Sequence, residues 1–449
     1  MVHSSLSTLD TIELRPHPTA RDQALAKAEI PTGSTILKIP AFATVLQFSQ
    51  KGNRCDHCMR LPTEGQPLRR CTGCSAYWYC DAQCQSAQWQ THHKRICKRI
   101  NQFTSSTVFQ GLEEHEKMDA LLLNHLVASL STLPTAYNLE QSQEATLFLS
   151  LLPGPSSGSE PPLICTISPP PKADLIPTLF ERFGNNNFTM HSHLNSIAHG
   201  IFPLASRSFN HSCSPNAAPK YTFSAHQPVI MEVVALKDIH QGEEICIPYL
   251  DPALTQTKRQ IFQFTYGFNC NCPACLFLNS IGHIPETPTD PDQLKDLSRR
   301  VGEFVNVDSY LKSDKYQSPS MSELPQDLHP VLNEDFMKWL SETFSKASHE
   351  ANFDLAAESG IALLALYLLV YPCNYPQIGM HLLEMAKTHW NYSFVISQPS
   401  KSKETEAKAA ISRLLELAKR VLDVLGREGD EDGPLAEISV LQNLLQDVQ

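Results

Sequence analysis

No glycine precedes Gly33 in this chain of 449 residues. The N-terminal stretch therefore lacks the residue that most readily lets a ligand approach the main chain. Long apolar runs are missing as well. No window of about twenty apolar residues appears, so no transmembrane helix is expected. The N-terminus has no basic stretch followed by an apolar one, so no secretory signal is expected. Positive charge is scarce: 36 Lys and Arg stand against 47 Asp and Glu, for a net charge of −11. That balance argues against non-specific nucleic-acid binding, which needs a basic surface. It suits a basic partner such as a Lys-rich peptide, though net charge bears on association and not on fold. The length allows two or three domains with a sizeable core. An apolar fraction of 42% with 18% charged residues reads as globular.

Cysteine is plentiful, with fourteen in the chain. Without a secretory signal, that number points to metal rather than disulfides. Eleven fall into two metal-type groups, leaving Cys165, Cys246 and Cys373 as buried or unremarkable thiols. The first group offers eight ligand positions in about forty residues: Cys55, Cys58, Cys71, Cys74, Cys80, Cys84, Cys97 and one of His92 or His93. Zinc takes four thiolate or imidazole ligands in a tetrahedron, and each C-x2-C hook supplies two. His93 lies four residues before Cys97, on the same side of a helix, and is the preferred ligand. Lys94, Arg95, Lys98 and Arg99 read as a solvated helix face. The second group contains Cys270, Cys272 and Cys275, three thiolates where a structural zinc wants four.

Three strings carry a resemblance. Residues 207–216 read Arg-Ser-Phe-Asn-His-Ser-Cys-Ser-Pro-Asn, residues 242–249 read Gly-Glu-Glu-Ile-Cys-Ile-Pro-Tyr, and Cys270-x-Cys272-x-x-Cys275 follows. With Tyr79-Cys80, Trp89 and Lys94-Arg95 in the first cysteine group, they resemble the SET and MYND domain family of protein lysine methyltransferases. The resemblance covers nearly the whole chain. It implies the start of a SET domain over 1–50, a MYND-type zinc finger over 55–97, and the rest of the SET domain over 98–253. A post-SET zinc segment over 254–280 and a helical region over 281–449 complete it. The implied fold is α+β: a mainly-β SET domain, a small zinc-finger insertion and an all-helical C-terminal region.

The resemblance also implies ligands and roles. Cys55, Cys58, Cys80 and Cys84 would share one zinc. Cys71, Cys74, a histidine and Cys97 would share a second, and here His92 keeps the family's distance from Cys84. Cys213 would complete the third with Cys270, Cys272 and Cys275. S-adenosylmethionine would be held by Asn210 and His211 through backbone and side-chain contacts. Asn186, in the run Asn185-Asn186-Asn187-Phe188, would contact it, and Phe268 would stack near its adenine. Tyr249 would meet both cofactor and substrate amine. One departure stands out: Arg21-Asp22-Gln23 occupies the place of the family's Gly-x-Gly. Arg21 or Gln23 either contacts the cofactor carboxylate or blocks its site.

Methyl transfer to lysine requires a neutral amine, yet free lysine has a pKa of about 10.4. The site must strip or exclude that proton in a dry channel, then align nitrogen, methyl and sulfur. Tyr249 is the residue expected to orient the amine or stabilise the methyl through its hydroxyl oxygen.

Apolar periodicity predicts strands at 11–14, within 24–39 around a turn at 30–33, and at 221–223, 229–235 and 244–249. It predicts helices at 116–130, 173–183, 334–351, 354–370, 377–388 and 404–425. His125 reads as a packed histidine, and His191, His193 and His199 as solvent-facing or core. Residues 153–172 read as a surface loop, 285–291 and 313–330 as linkers, and 428–432 as a solvated loop. The expected partner is a protein or peptide with a target lysine, plus a Pro-rich peptide at the finger. No nucleic acid and no membrane are expected. The chain is expected to be a monomer in the nucleus, the cytoplasm or both. A non-catalytic adaptor with a disabled cofactor pocket is an alternative reading. A chaperone-like helical tail is another.

Overall fold

The computed structural model describes residues 9–131, 142–155, 160–168, 170–395 and 401–447. Near its start, β1 (Ile12–Pro16) and β2 (Asp22–Ala26) form an antiparallel hairpin that turns Ile12, Ala24 and Ala26 inward. Next come β3 (Thr35–Pro40) and β4 (Ala43–Leu46). The chain then leaves for the finger, whose small ribbon is β5 (Arg69–Arg70) and β6 (Trp78–Tyr79). It returns through β7 (Asn187–Ser192), β8 (Asn195–Ile201), β9 (Asn210–His211), β10 (Ala217–Thr222), β11 (Ile230–Ala235) and β12 (Cys246–Ile247).

Pairing across that excursion makes one domain. The order β10-β11-β3 puts Ile39 opposite Met231, and β4-β8-β7 puts Ala43 opposite Ile201. A parallel pair joins β12 to β9, Cys246 to Asn210 and Ile247 to His211. Ile12, Ile36, Leu37, Phe202, Phe209 and Val233 share its core. Each fully buried side chain of this size contributes about 1.5–3 kcal/mol. The expected strand at 244–249 is only two residues long. Pro248 has no N–H to donate, so the ladder stops there.

The finger is fused to its host. Its cysteines, Tyr77, Tyr79 and Ile96 share a core with Leu121, Leu122 and Val127 of the helix Glu114–Leu130. His125 on that helix is buried as expected. Its Nδ1 donates to the Thr44 carbonyl (2.7 Å) and its Nε2 accepts from the Tyr77 hydroxyl (2.6 Å). Two of the four basic residues are not free on their helix face: Arg95 donates to Ser168 O and Arg99 to Thr166 O. The surface loop expected at 153–172 lies partly outside the described residues.

The helical region includes Glu334–His349, Phe353–Val370, Pro376–Val395 and Lys401–Leu425, close to the expected helices. Two others, Pro291–Val305 and Pro434–Asp447, were not expected. The first turns in Leu294, Leu297, Val301 and Val305. Phe353–Val370 is long and apolar enough to cross a membrane by length and composition. Here 61% of it is buried as the central helix of the bundle. Ala218, Val234 and Leu236 from β10, β11 and the turn after it join the bundle's core, so sheet and helices pack as one body.

The 428–432 loop is also corrected, since it is a clamp rather than a solvated run. Asp430 accepts from both terminal nitrogens of Arg54 (2.8 and 2.6 Å) and from Ser192 Oγ (2.6 Å). Arg60 pairs with Glu431 at 2.9 Å, and Gly429 N donates to Tyr221 O at 2.7 Å. His193 Nε2 lies 3.0 Å from Asp430 O. His191 and His199 are neutral partly buried rings, their pKa values lowered mainly by desolvation.

Candidate active site and zinc groups

Three sets of four side chains converge. Ligand atoms within 4.8 Å of one another unite Cys55, Cys58, Cys80 and Cys84, then Cys71, Cys74, His93 and Cys97, then Cys213, Cys270, Cys272 and Cys275. Asp81 and His226 also approach Cys84, which already belongs to the first set. All twelve residues are free of disulfides, and most are buried. Four sulfur or nitrogen donors in a closed pocket fit tetrahedral zinc.

The choice between the two histidines follows from a π turn. Trp89–His93 winds with i→i+5 hydrogen bonding, one residue more per turn than an α-helix. That extra residue brings His93 Nε2 to 3.3 Å from Cys71 Sγ and 3.6 Å from Cys74 Sγ. From His93 on the winding is α-helical, with Cys97 N donating to His93 O. His92 is turned aside.

In the third set, Cys213 Sγ lies 3.4 Å from Cys275 Sγ and 3.9 Å from Cys270 Sγ. Hydrogen bonding to Cys213 holds the Cys272 thiol at about 6 and Cys270 lower still. This set ties the 270–275 turn onto the segment that follows β9.

That segment is laced to the strand before Tyr249. Asn216 Oδ1 accepts from Cys246 N (2.9 Å), and its amide donates to Glu243 Oε1 and Glu244 O. Asn210 Nδ2 donates to Glu244 Oε1 (2.8 Å) and to the Asp22 carbonyl (3.0 Å). His211 Nδ1 accepts from Tyr249 N (3.0 Å), so its proton sits on Nε2, 3.1 Å from Cys213 Sγ. Both side chains are thus engaged within the protein.

Tyr249 donates its hydroxyl proton to Phe209 O at 2.7 Å. Burial, then the neighbouring Tyr266, pushes the phenol's pKa up, so it stays neutral. The Tyr266 ring centre lies 5.1 Å away, and burial raises this phenol to about 12. Sequence reasoning missed Tyr266, although it sits two residues before Phe268. Phe268 stacks on Phe262 at 5.1 Å and meets Tyr249 edge-on at 6.4 Å. Tyr249, Tyr266 and Phe268 each keep a partly accessible face. Such faces fit a purine by stacking and a sulfonium by cation–π attraction.

Asn186 is not joined to this group by any hydrogen bond or ring contact among the described residues. Its amide donates to Arg182 O and Asn185 Oδ1. The connection is indirect. A Cβ on Gly154 would stand 3.5 Å from both Asn185 Cγ and Thr265 O, so the 154–155 turn spaces the Asn run from the Tyr266 wall. A cavity of about 560 Å³ lies elsewhere, behind the third cysteine set and lined by Lys258, Arg259 and His283.

Arg21, Asp22 and Gln23 are accommodated without strain. None has a positive φ. Asp22 accepts from Arg207 Nε at 2.9 Å, and Gln23 Nε2 donates to Pro16 O. Arg21 is partly exposed, with only a loose contact at 3.9 Å to Asp22. The conformational freedom of glycine is therefore not needed at these three positions.

A split β domain carrying a zinc finger, a tetracysteine knot and a strand-end tyrosine defines the class. The SET domain family matches residues 24–250, just over half of the chain. This chain belongs to that family, as a member of its SET and MYND domain branch of protein lysine methyltransferases. It is similar to the N-lysine methyltransferase SMYD2 of Bos taurus, 23% identical over 378 residues, which span 79% of this chain and 82% of that one. It is also similar to the histone-lysine N-methyltransferase ASHR1 of Arabidopsis thaliana, 27% identical over 267 residues, spanning 54% and 50%. Among solved structures, the SET domain of LSMT bound to lysine and AdoHcy matches with 11% identity and a TM-score of 0.26. It covers 99% of this chain and 89% of that one, and at that score it adds nothing further.

Proposed function

We infer that this chain is an S-adenosylmethionine-dependent protein lysine N-methyltransferase. The observation that carries the reading is Tyr249. Its hydroxyl is pinned to Phe209 O, beside Tyr266 and Phe268, over the laced Asn210–His211 segment. When bound, S-adenosylmethionine would supply a methyl group activated on a sulfonium, with a neutral thioether as the leaving group. The chain's residues do the rest. The aromatic wall excludes water, which disfavours the charged ammonium and favours the neutral amine. The Tyr249 hydroxyl oxygen would orient the amine nitrogen toward that methyl group. The zinc ions are structural, since every donor set is complete without a water. Zn1 would be held by Cys55, Cys58, Cys80 and Cys84, Zn2 by Cys71, Cys74, His93 and Cys97, and Zn3 by Cys213, Cys270, Cys272 and Cys275.

We further propose that the finger takes a Pro-rich peptide on its outer face, where Trp89 and Leu61 are exposed. The chain would act as a monomer in the nucleus or cytoplasm, where its free thiols stay reduced.

The test is calorimetric titration of S-adenosylmethionine into the zinc-loaded chain, followed by labelled methyl transfer to core histones and to a protein lysate. Micromolar binding with label on lysine is expected. A folded, zinc-replete chain that shows neither heat nor competition by S-adenosylhomocysteine would be an adaptor instead.

A further inference from the structure

Two residues past Tyr249 stands a carboxylate that no cation of this chain meets. Asp251 is exposed, and its printed partners are a backbone amide and a phenol. No ion pair forms at Asp251 among the described residues. Other carboxylates of the SET domain are paired: Glu13 with Arg15 at 3.0 Å, Asp22 with Arg207 at 2.9 Å, and Glu232 with Lys38 at 2.9 Å.

The carboxylate is fixed in direction all the same. Asp251 Oδ1 accepts from Ala253 N (2.9 Å), and Oδ2 accepts from the Tyr371 hydroxyl (3.3 Å). Tyr371 comes from the helical region, at the C-terminal end of Phe353–Val370. Its ring stacks on Tyr375, with 4.9 Å between centres and 14° between planes, and meets Tyr367 edge-on at 5.3 Å. Burial, then the Asp251 charge, pushes the Tyr371 phenol above its ordinary range, so it keeps its proton and donates. The two oxygens of a carboxylate offer about four acceptor sites, so two hydrogen bonds leave room for another donor.

Position says what that donor belongs to. Tyr249, Leu250 and Asp251 each keep accessible surface. Two residues of chain span at most about 7 Å. A peptide whose target lysine reaches Tyr249 therefore carries its neighbouring side chains past Asp251.

On the methyltransferase reading, we propose that Asp251 is a specificity-determining residue that receives a second basic side chain of the substrate, about one to three residues from the target lysine. The substrate class is then a segment with at least two basic residues. Charge complementarity supports this partner: an exposed, rigidly mounted anion selects a cation, and a net charge of −11 draws basic segments in. Arg is the better match, because its planar fork can give two hydrogen bonds to one carboxylate.

The test uses the zinc-loaded full chain and peptides with one lysine in a neutral background. A single Arg is placed in turn at each position from about three residues before the lysine to about three after it. Fluorescence anisotropy reads binding, and label incorporation reads methyl transfer. At one Arg position Kd and KM should both fall about fivefold against the neutral peptide with kcat unchanged, the strong end of an exposed ion pair. That gain should shrink as salt rises from about 0.05 to about 0.5 M. In Asp251→Asn the ratio between Arg and neutral peptide should fall to about one, since the amide keeps an acceptor for Ala253 N but no charge. In Asp251→Lys, Glu should replace Arg as the preferred residue at that position. Zinc content and melting temperature report whether each variant is folded. No preferred Arg position in the wild type, a preference indifferent to salt, or an unchanged ratio in folded Asp251→Asn would each overturn the proposal. If no peptide is methylated, the methyltransferase reading fails, and the anisotropy series still decides whether Asp251 selects a basic residue.

Discussion

The Tyr249 hydroxyl donates to the Phe209 carbonyl at 2.7 Å. Tyr249→Phe should therefore do two separable things. Methyl transfer should fall about 10²-fold, since misplaced reactants lose that much rate. Stability should fall by about 1 kcal/mol, because the Phe209 carbonyl loses its donor. Calorimetric affinity for S-adenosylmethionine and the zinc content should be close to wild type. Arg21 supplies a second residue-scale prediction. Its guanidinium is partly exposed and loosely paired, and it stands where the family has glycine. If it grips the cofactor carboxylate, one charge-assisted hydrogen bond is worth about 1.5 kcal/mol, or about tenfold in affinity. Arg21→Ala should weaken S-adenosylmethionine by that factor in the titration while leaving the melting temperature unchanged. Equal affinity in the two proteins would remove Arg21 from the site.

Among the elements, the two zinc-bearing parts are coupled to different things. The 270–275 turn carries the wall of Phe262, Tyr266 and Phe268, and its cysteines pack in the same small core. The finger instead packs against the helix Glu114–Leu130. Cys272→Ser and Cys71→Ser should each cost one zinc ion, read by mass spectrometry of the native chain. Only Cys272→Ser should also abolish S-adenosylmethionine binding. Equal loss of binding in both would mean that finger and wall are not independent. Local spacing marked the cysteine hooks as metal ligands, while their grouping into sets, with Cys213 as the distant fourth member of the third, came from the family resemblance. The side-chain partners of Asn210 and His211 were not legible in the sequence. Tertiary pairing gives their side chains Glu244, Asp22, Tyr249 and Cys213 as partners, which no local pattern marks.

At the scale of the whole molecule, Asp430 fastens the end of the helical region to both finger and SET domain. Removing it strands Arg54, whose side chain is only 7% exposed. Breaking a buried pair from one side is costly, so Asp430→Ala should destabilise the chain by about 3 kcal/mol in chemical unfolding. Burial alone would raise the Asp430 pKa, but hydrogen bonds from Arg54 and Ser192 and the Arg54 charge outweigh it, and the net shift is downward. A depressed carboxylate gives stability that is fully present above its unfolded pKa of about 3.9 and is lost as pH falls through the folded value. The gap between wild type and Asp430→Ala should therefore hold steady from neutral pH to about 5 and close below about 4. Glu428, raised mainly by burial, is present in both proteins and so leaves the difference untouched. A gap independent of pH would show that Asp430 acts through packing rather than charge.

The sequence by itself determined the family and, through the resemblance, the three cysteine sets. These rest on residue types at short fixed spacings, and such spacings survive any arrangement of the rest. The helices with dense apolar stripes were legible for the same reason. The tertiary structure alone decided what distance in the chain hides. Asp430 lies 376 residues from Arg54, and nothing near either one marks the pair. Lacking a local signal, the 428–432 run looked like any exposed acidic loop. Partner and burial are properties of the fold rather than of the string.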